Sequence, residues 1–240
     1  MIYGGGLSIM TIREAIEVRK SNRNYFQTSL KEEHVKALEK CIEEVNAASG
    51  LKIQLIQNRG EAFAKSYLGV KGASCYFAMV GDRDMPYLHE KIGYYGERLV
   101  LEATALGLGT CWLNVNYNED LWTCELGEND KLVIIVAVGE SAEEINIDDE
   151  FAVNMSIHRS TRPIEYMYTA DGEVPDWFIE GMKAVAKAPS SQNSQPVKFF
   201  YCSSKILAYV DSGSKSRNIE LGVAELHFEL ASGVKVFDKE

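Results

Sequence analysis

Three observations predict an α+β fold. Several stretches carry apolar residues three and four apart behind helix-capping signals. Shorter apolar runs alternate, or run without interruption, as strands do. The two kinds alternate loosely, so the neighbouring α/β class stays open beside it.

The elements follow in order. Thr11-Ile-Arg-Glu14 is a capping-box pattern opening a helix with Ile12, Ala15 and Ile16 on one face. Ser29-Leu-Lys-Glu32 is a second such pattern. The helix it opens should bury Val35, Leu38, Ile42 and Val45 and end within residues 46–50. Residues 51–57, "LKIQLIQ", alternate as a strand, and 74–82, "SCYFAMVGD", read as a buried strand. A long helix is predicted from Pro86 to Leu106, with Ile92, Leu99, Ala103 and Leu106 inward. Residues 131–140, "KLVIIVAVGE", form the continuous apolar run of a central strand covered on both faces. The acidic stretch 141–150 reads as a solvated connection. Pro175 suits the first turn of a helix with Phe178, Met182 and Val185 inward. Strands at 199–202 and 207–210 precede a helix bearing Ile219, Val223, Leu226 and Leu230, and 233–238 reads as a closing strand.

The chain has 240 residues, of which 46% are apolar and 25% charged, an ordinary globular balance with ample length for a core. No apolar run is long enough for a membrane span, and "MIYGGGLSIM" lacks the features of a signal peptide, so residues 1–9 are expected to be a loose tail. A net charge of −10 argues against nucleic-acid partners. Five cysteines without a Cys-x-x-Cys pair point to free thiols in a reducing cytoplasm. No metal-ligand cluster, Gly-x-Ser-x-Gly elbow, P-loop or Rossmann glycine pattern is present. His34, His89 and His227 stand singly on predicted helices.

Four stretches carry possible chemistry. In "EVRKSNRNY", Arg19, Ser21 and Arg23 supply donors suited to phosphate oxygens, or else form a solvated basic helix end. In "ATALGLGTCWLN", Gly107 and Gly109 either stop a helix before a strand or let the backbone approach a flat ligand. "HRSTRPIEYM" sets Arg159 and Arg162 beside hydroxyls, or is an ordinary surface segment. In "KAVAKAPSSQNSQPVKFFY" a helix meets a run of hydroxyls and amides between two prolines, which is a turn or a surface for a polar heterocycle.

Together these pieces resemble the nitroreductase family of FMN-dependent oxidoreductases. The matches are Arg19-Lys-Ser21-Asn-Arg23, Gly107 to Thr110, Arg162-Pro163, and Pro189-Ser190-Ser191-Gln192-Asn193-Ser194-Gln195-Pro196. The family's Pro-Ser loop ordinarily stands one helix after the arginine stretch, and two subunits share each site. Here the loop comes some 140 residues later. The resemblance therefore implies a single-chain pseudo-dimer with a central mixed sheet flanked by helices. Its lobes would be residues 10–165 and a truncated second copy, 170–240. It implies that Arg19, Ser21 and Arg23 bind the FMN phosphate, with Arg159 or Arg162 adding charge. Ser190, Ser191, Asn193 and Gln195, in the loop opened by Pro189, would contact the ribityl chain and ring edge. Thr110, Trp112, Leu113 and Asn114 would pass along the flavin. Lys65 or Lys71 is the candidate for the pyrimidine edge, since Gly69 has no side chain to offer, and Trp112 and Tyr67 are candidate pocket walls. The chemistry would be flavin-centred, with no catalytic side chain, NAD(P)H as donor and a small-molecule acceptor. The chain would be a monomer holding one FMN. The alternative is a flavin storage or sensor protein without turnover.

Overall fold

The computed structural model describes residues 9–65, 69–114, 119–142, 161–202, 205–210 and 215–238. The chain divides into two compact units. One comprises residues up to Met85 together with Leu99–Ile157, and the other Pro86–Arg98 together with His158–Glu240.

In the first unit, α1 (Ile12–Val18) opens on the expected capping box. Thr11 Oγ1 accepts from the Glu14 N–H at 3.2 Å, and the Glu14 carboxylate accepts from the Thr11 N–H at 2.7 Å. The second expected box does not form. Helix α2 (Glu32–Ser49) starts from Lys31 with no side-chain cap, and the Ser29 hydroxyl bonds instead to Asn58 Oδ1 at 3.2 Å. Gly50, in the left-handed region at φ 74°, ends α2. The strand expected over 51–57 shortens to β1 (Gln54–Ile56). Its first residues are held otherwise: the Asn46 amide accepts from the Ile53 N–H and donates to the Ile53 carbonyl, both at 2.9 Å. The short helix α3 (Gly60–Lys65) follows, and then β2 (Cys75–Asp82), buried except at its last residue.

Helix α4 (Leu88–Ala105) begins in the second unit and ends in the first. β3 (Gly109–Leu113) and β4 (Asp130–Gly139) complete an antiparallel sheet of order β1-β2-β4-β3. β4 is paired on both edges, but the coverage expected on both its faces holds only for residues 135–139, which are buried; Lys131 is exposed and residues 132–134 are half-buried. Phe63, Tyr76 and Trp122 meet edge-on in the core beside this sheet, with centroids 5.2 to 6.0 Å apart.

The second unit holds β5 (Tyr168–Ala170), α5 (Asp176–Val185), β6 (Val197–Cys202), β7 (Lys205–Val210) and α6 (Lys215–Ser232). Its three-stranded sheet, order β5-β6-β7, is mixed: β5 runs parallel to β6, and β7 antiparallel. Phe178, Phe199 and Phe228 pack at its centre. Here α6 crosses the first half of α4 with main chains in contact. A β-carbon on Gly93 would lie 1.9 Å from the Ile219 carbonyl oxygen, and one on Gly222 would lie 2.0 Å from that of Glu90. The contact is reciprocal, each glycine meeting the carbonyl three residues before the other. His227, read from sequence as standing alone, is fully buried, with Nε2 2.9 Å from Glu97 Oε1 and Nδ1 3.1 Å from the Ala184 carbonyl.

The closing strand expected at 233–238 is absent. The N–H groups of Val236 and Phe237 donate to Glu229 Oε1 at 2.6 and 2.5 Å, so a carboxylate takes the donors a ladder would need. Phe237 is buried and stacks on Tyr94 at 4.2 Å. Among the described residues no helix is long and apolar enough to cross a membrane.

Candidate functional site

The arginine stretch is built into the first unit by main-chain bonds on two sides. Arg19 leaves α1 in an extended conformation (φ −55°, ψ 130°). Ser21 then bridges Thr110 of β3 in parallel, and the Asn22 N–H donates to the Thr110 carbonyl at 2.8 Å. Gly109 permits this approach, because a β-carbon there would stand 2.9 Å from the Asn22 side chain. On the other side the Lys71 N–H donates to the Arg23 carbonyl, and the Tyr25 N–H to the Lys71 carbonyl, at 2.8 and 2.9 Å. Gly72, at φ 79°, is required here: a β-carbon would fall 1.9 Å from the Tyr25 carbonyl oxygen. Ser141 and Ala142, read as the start of a solvated connection, pair with this stretch too. Asn22 Nδ2 donates to Ser141 Oγ at 2.6 Å, and the Ala142 N–H to the Asn24 carbonyl at 3.1 Å. Residues 143–150 lie outside the described residues.

Arg19, Ser21 and Arg23 lie on one short stretch whose main chain is fastened to Thr110 at Ser21 and Asn22 and to Lys71 at Arg23 and Tyr25. Arg19 is buried, and Ser21 and Arg23 are half-buried. Both guanidiniums act on Cys111: burial pushes its thiol up, and Arg23 and Arg19 pull it back down. The main chain of Ser21 thus lies on Thr110, and the guanidiniums of Arg19 and Arg23 stand near enough to the neighbouring Cys111 to act on its thiol. Two guanidiniums and a serine hydroxyl are a donor set that suits a doubly charged phosphate. Further along β3, Trp112 is half-buried, Leu113 buried and Asn114 exposed.

The Pro-Ser loop stands in the second unit between α5 and β6. Residues 191–193 form a 3₁₀ turn, and Gln192, Asn193 and Gln195 lie in the left-handed region at φ 53°, 52° and 46°. Such residues persist only where their surroundings fix them. Gln195, expected to face a ligand, is turned inward: its amide donates to the Ala186 carbonyl at 2.9 Å and accepts from the Arg162 N–H at 2.7 Å. The Gln195 N–H donates to Ser190 Oγ at 2.9 Å, and Arg162 Nη2 reaches the Ser194 carbonyl at 3.4 Å. The side chains of residues 191–194 remain exposed, and Pro189 and Ser190 are half-buried. The Ser191 N–H donates to Glu220 Oε1 at 2.6 Å. Sequence reading passed over Glu220. The signal for it was an acid sharing a helix face with Ala224 and His227, at i, i+4 and i+7.

The structure thus brings Arg19, Ser21, Arg23 and Thr110 together in one unit, and Arg162 together with the Pro-Ser loop in the other. Arg159, His158 and Tyr67 lie outside the described residues. An open cleft of about 490 Å³ lies at the α2–β1 connection, lined by Asn46, Lys52, Gln54, Glu125 and Asp130 among others. Its polar groups bond to one another, with Lys52 on Asp130 at 2.6 Å and Gln54 on the Glu125 main chain at 2.8 Å. Among the described residues no group of three His, Cys, Asp or Glu side chains could hold a metal.

Comparison with known proteins gives a consistent result. A family described as "Putative TM nitroreductase" matches residues 11–232. Among solved structures, a "putative nitroreductase" from Thermotoga maritima is 22% identical with a TM-score of 0.61, covering 96% of this chain and 87% of its own. A nitroreductase with bound FMN from Bacteroides fragilis is 20% identical with a TM-score of 0.43, over 57% of this chain and 91% of its own. A "putative nitroreductase" in complex with FMN from Desulfovibrio desulfuricans is 22% identical with a TM-score of 0.44, over 59% and 95%. No curated protein matches. The Thermotoga likeness establishes the shared fold, and the family match extends from the start of α1 to the end of α6: the chain belongs to this nitroreductase family of oxidoreductases.

Proposed function

We propose that the chain is an FMN-dependent NAD(P)H oxidoreductase of nitroreductase type. The observation that carries this reading is the fastening of the Arg19–Arg23 stretch beside Thr110 and Cys111, since that stretch carries a donor set that fits the FMN phosphate. When bound, the flavin supplies hydride transfer, from a nicotinamide to a nitroaromatic, quinone or similar acceptor in turn. The chain's own work is to bind and orient. The guanidiniums neutralise the phosphate, and Arg159 or Arg162 adds charge. The main chain from Trp112 past the end of β3 to Asn114 would border the ring, and Ser190, Ser191 and Asn193 would present hydroxyl and amide groups to the ribityl chain. Of the two lysines considered for the pyrimidine edge, Lys71 is favoured, because its backbone is fastened to Arg23 and Tyr25.

The reading includes a pseudo-dimer, with one site per chain in a monomer. Its support is the reciprocal crossing of Gly93 and Gly222, the relation that a two-fold axis between equivalent helices produces. The five free cysteines fit a cytoplasmic setting.

Titration of FMN into dilute protein, with mass read by light scattering, should saturate at one FMN per monomer. Arg19→Ala and Arg23→Ala should each weaken FMN binding by about ten- to a hundredfold, the worth of a charge-assisted contact. Riboflavin, which lacks the phosphate, should be affected far less. Equal losses for the two flavins would remove the arginines from the phosphate, and absence of FMN binding at micromolar concentration would sink the assignment. NAD(P)H oxidation with menadione separates an enzyme from a storage protein.

A further inference from the structure

We propose that Glu220 is a positioning residue of the Pro189–Pro196 loop: its carboxylate fixes the main chain at Ser191 and so sets where Ser190, Ser191 and Asn193 stand for the flavin. The proposal rests on the FMN reading above.

The loop is fastened at its two ends by different means. Its C-terminal end is held by the Gln195 amide, through Ala186 and Arg162. The 3₁₀ turn that carries the exposed side chains is closed locally, with the Asn193 N–H on the Ser190 carbonyl and the Ser194 N–H on the Ser191 carbonyl, both at 3.0 Å. The entry of that turn is tied to α6 by the 2.6 Å bond from the Ser191 N–H to Glu220. Three residues beyond this anchor, Gln192, Asn193 and Gln195, are left-handed without being glycine, so the turn depends on what holds it.

The choice of a carboxylate is informative. Glu220 is 8% exposed and borders a small cleft beneath the loop with Val185, Ser190, Gln195 and Ala224. Burial pushes its carboxyl up, and the Ser191 N–H and Arg217 pull it back. An amide would satisfy one N–H at less desolvation cost. What the carboxylate adds is a charge-assisted bond, roughly twice as strong as a neutral one. That strength is spent on one main-chain position, directly before the side chains the loop exposes.

The test compares wild type with Glu220→Met, which keeps the volume without the acceptor, and Glu220→Gln, which keeps an acceptor oxygen. Hydrogen–deuterium exchange of the loop in protein without flavin, the FMN dissociation constant and the melting temperature are measured for each. Glu220→Met should melt no lower than wild type, because it removes a buried charge. Even so, its loop amides should exchange faster and its FMN dissociation constant should rise about tenfold. Glu220→Gln, which keeps an acceptor but loses the charge assistance, should fall between wild type and Glu220→Met in both loop exchange and binding. A residue that served only stability would move binding and melting together. Unchanged loop exchange in Glu220→Met, or faster exchange with unchanged FMN binding, overturns the proposal while the FMN reading stands. A wild-type protein that does not take up FMN overturns that reading, and loop exchange then still decides whether Glu220 holds the loop.

Discussion

Two of the connections that carry a helix into a strand are built in opposite ways. Residues 50–53 join α2 to β1, and residues 186–196 join α5 to β6. The first closes on itself. Gly50 turns the chain, one amide brackets Ile53, and Leu51 and Ile53 go into the core. The second turns its bracketing amide inward at Gln195 and leaves the side chains of residues 191–194 in solvent. Both use an amide as a main-chain staple. What differs is where the remaining polar side chains point. A connection made for structure alone consumes its polar groups, whereas one that holds its backbone from behind keeps a polar face available.

The comparison can be broken by experiment. The largest effect is expected for Gln195→Ala, which strips partners from the buried Ala186 carbonyl and the part-buried Arg162 N–H. Urea denaturation should show a loss of about 3 kcal/mol. Asn46→Ala should cost less, about 1–2 kcal/mol, because Gly50 and the Lys52 N–H bond to Val80 still hold the connection. The reverse order would mean that the exposed loop is not the one under strain.

The smallest effect is a difference in pH dependence between two carboxylates, one at each connection. Asp130 is held below the ordinary carboxylate range by Lys52 and the Gly127 N–H. Its contribution is present above the unfolded value and is lost as pH falls through the lower folded one. Glu220 is pushed up from its ordinary value of 4.5 by burial. Its contribution has the opposite sign, complete below that value and lost as pH rises through the raised one. Melting curves across the acid range should therefore show Asp130→Asn falling behind wild type as pH rises from the acid limb. Glu220→Gln should gain on wild type over the same direction of change. Parallel curves would show that neither connection is tied to its acid.

How far the sequence foretold this follows from range. The Thr11–Glu14 box formed as read because both partners lie within one turn. The same pattern at Ser29 failed because a distant residue, Asn58, took the hydroxyl. The strand read at 233–238 failed for a related reason, since alternation cannot reveal that Glu229 claims the amides. α3 and β5 were missed because each is too short to carry a period. At the site, the arginines and the Pro-Ser loop were legible as motifs. That Ser21 lies on Thr110 was not, because no spacing encodes a pairing between distant segments. Gln195 was read as facing outward because an amide in a polar run gives no sign of which neighbour it serves.

The crossing of Gly93 and Gly222 also bears on how this sequence can change. Helices that meet through side chains keep their axes about 8–10 Å apart, a spacing that repacking can adjust. Here the obstacle in each β-carbon position is a peptide carbonyl. A side chain at either glycine can therefore be accommodated only if the two main chains move apart. Apolar residues along α4 and α6 can exchange size over time while the register of the two helices is inherited unchanged.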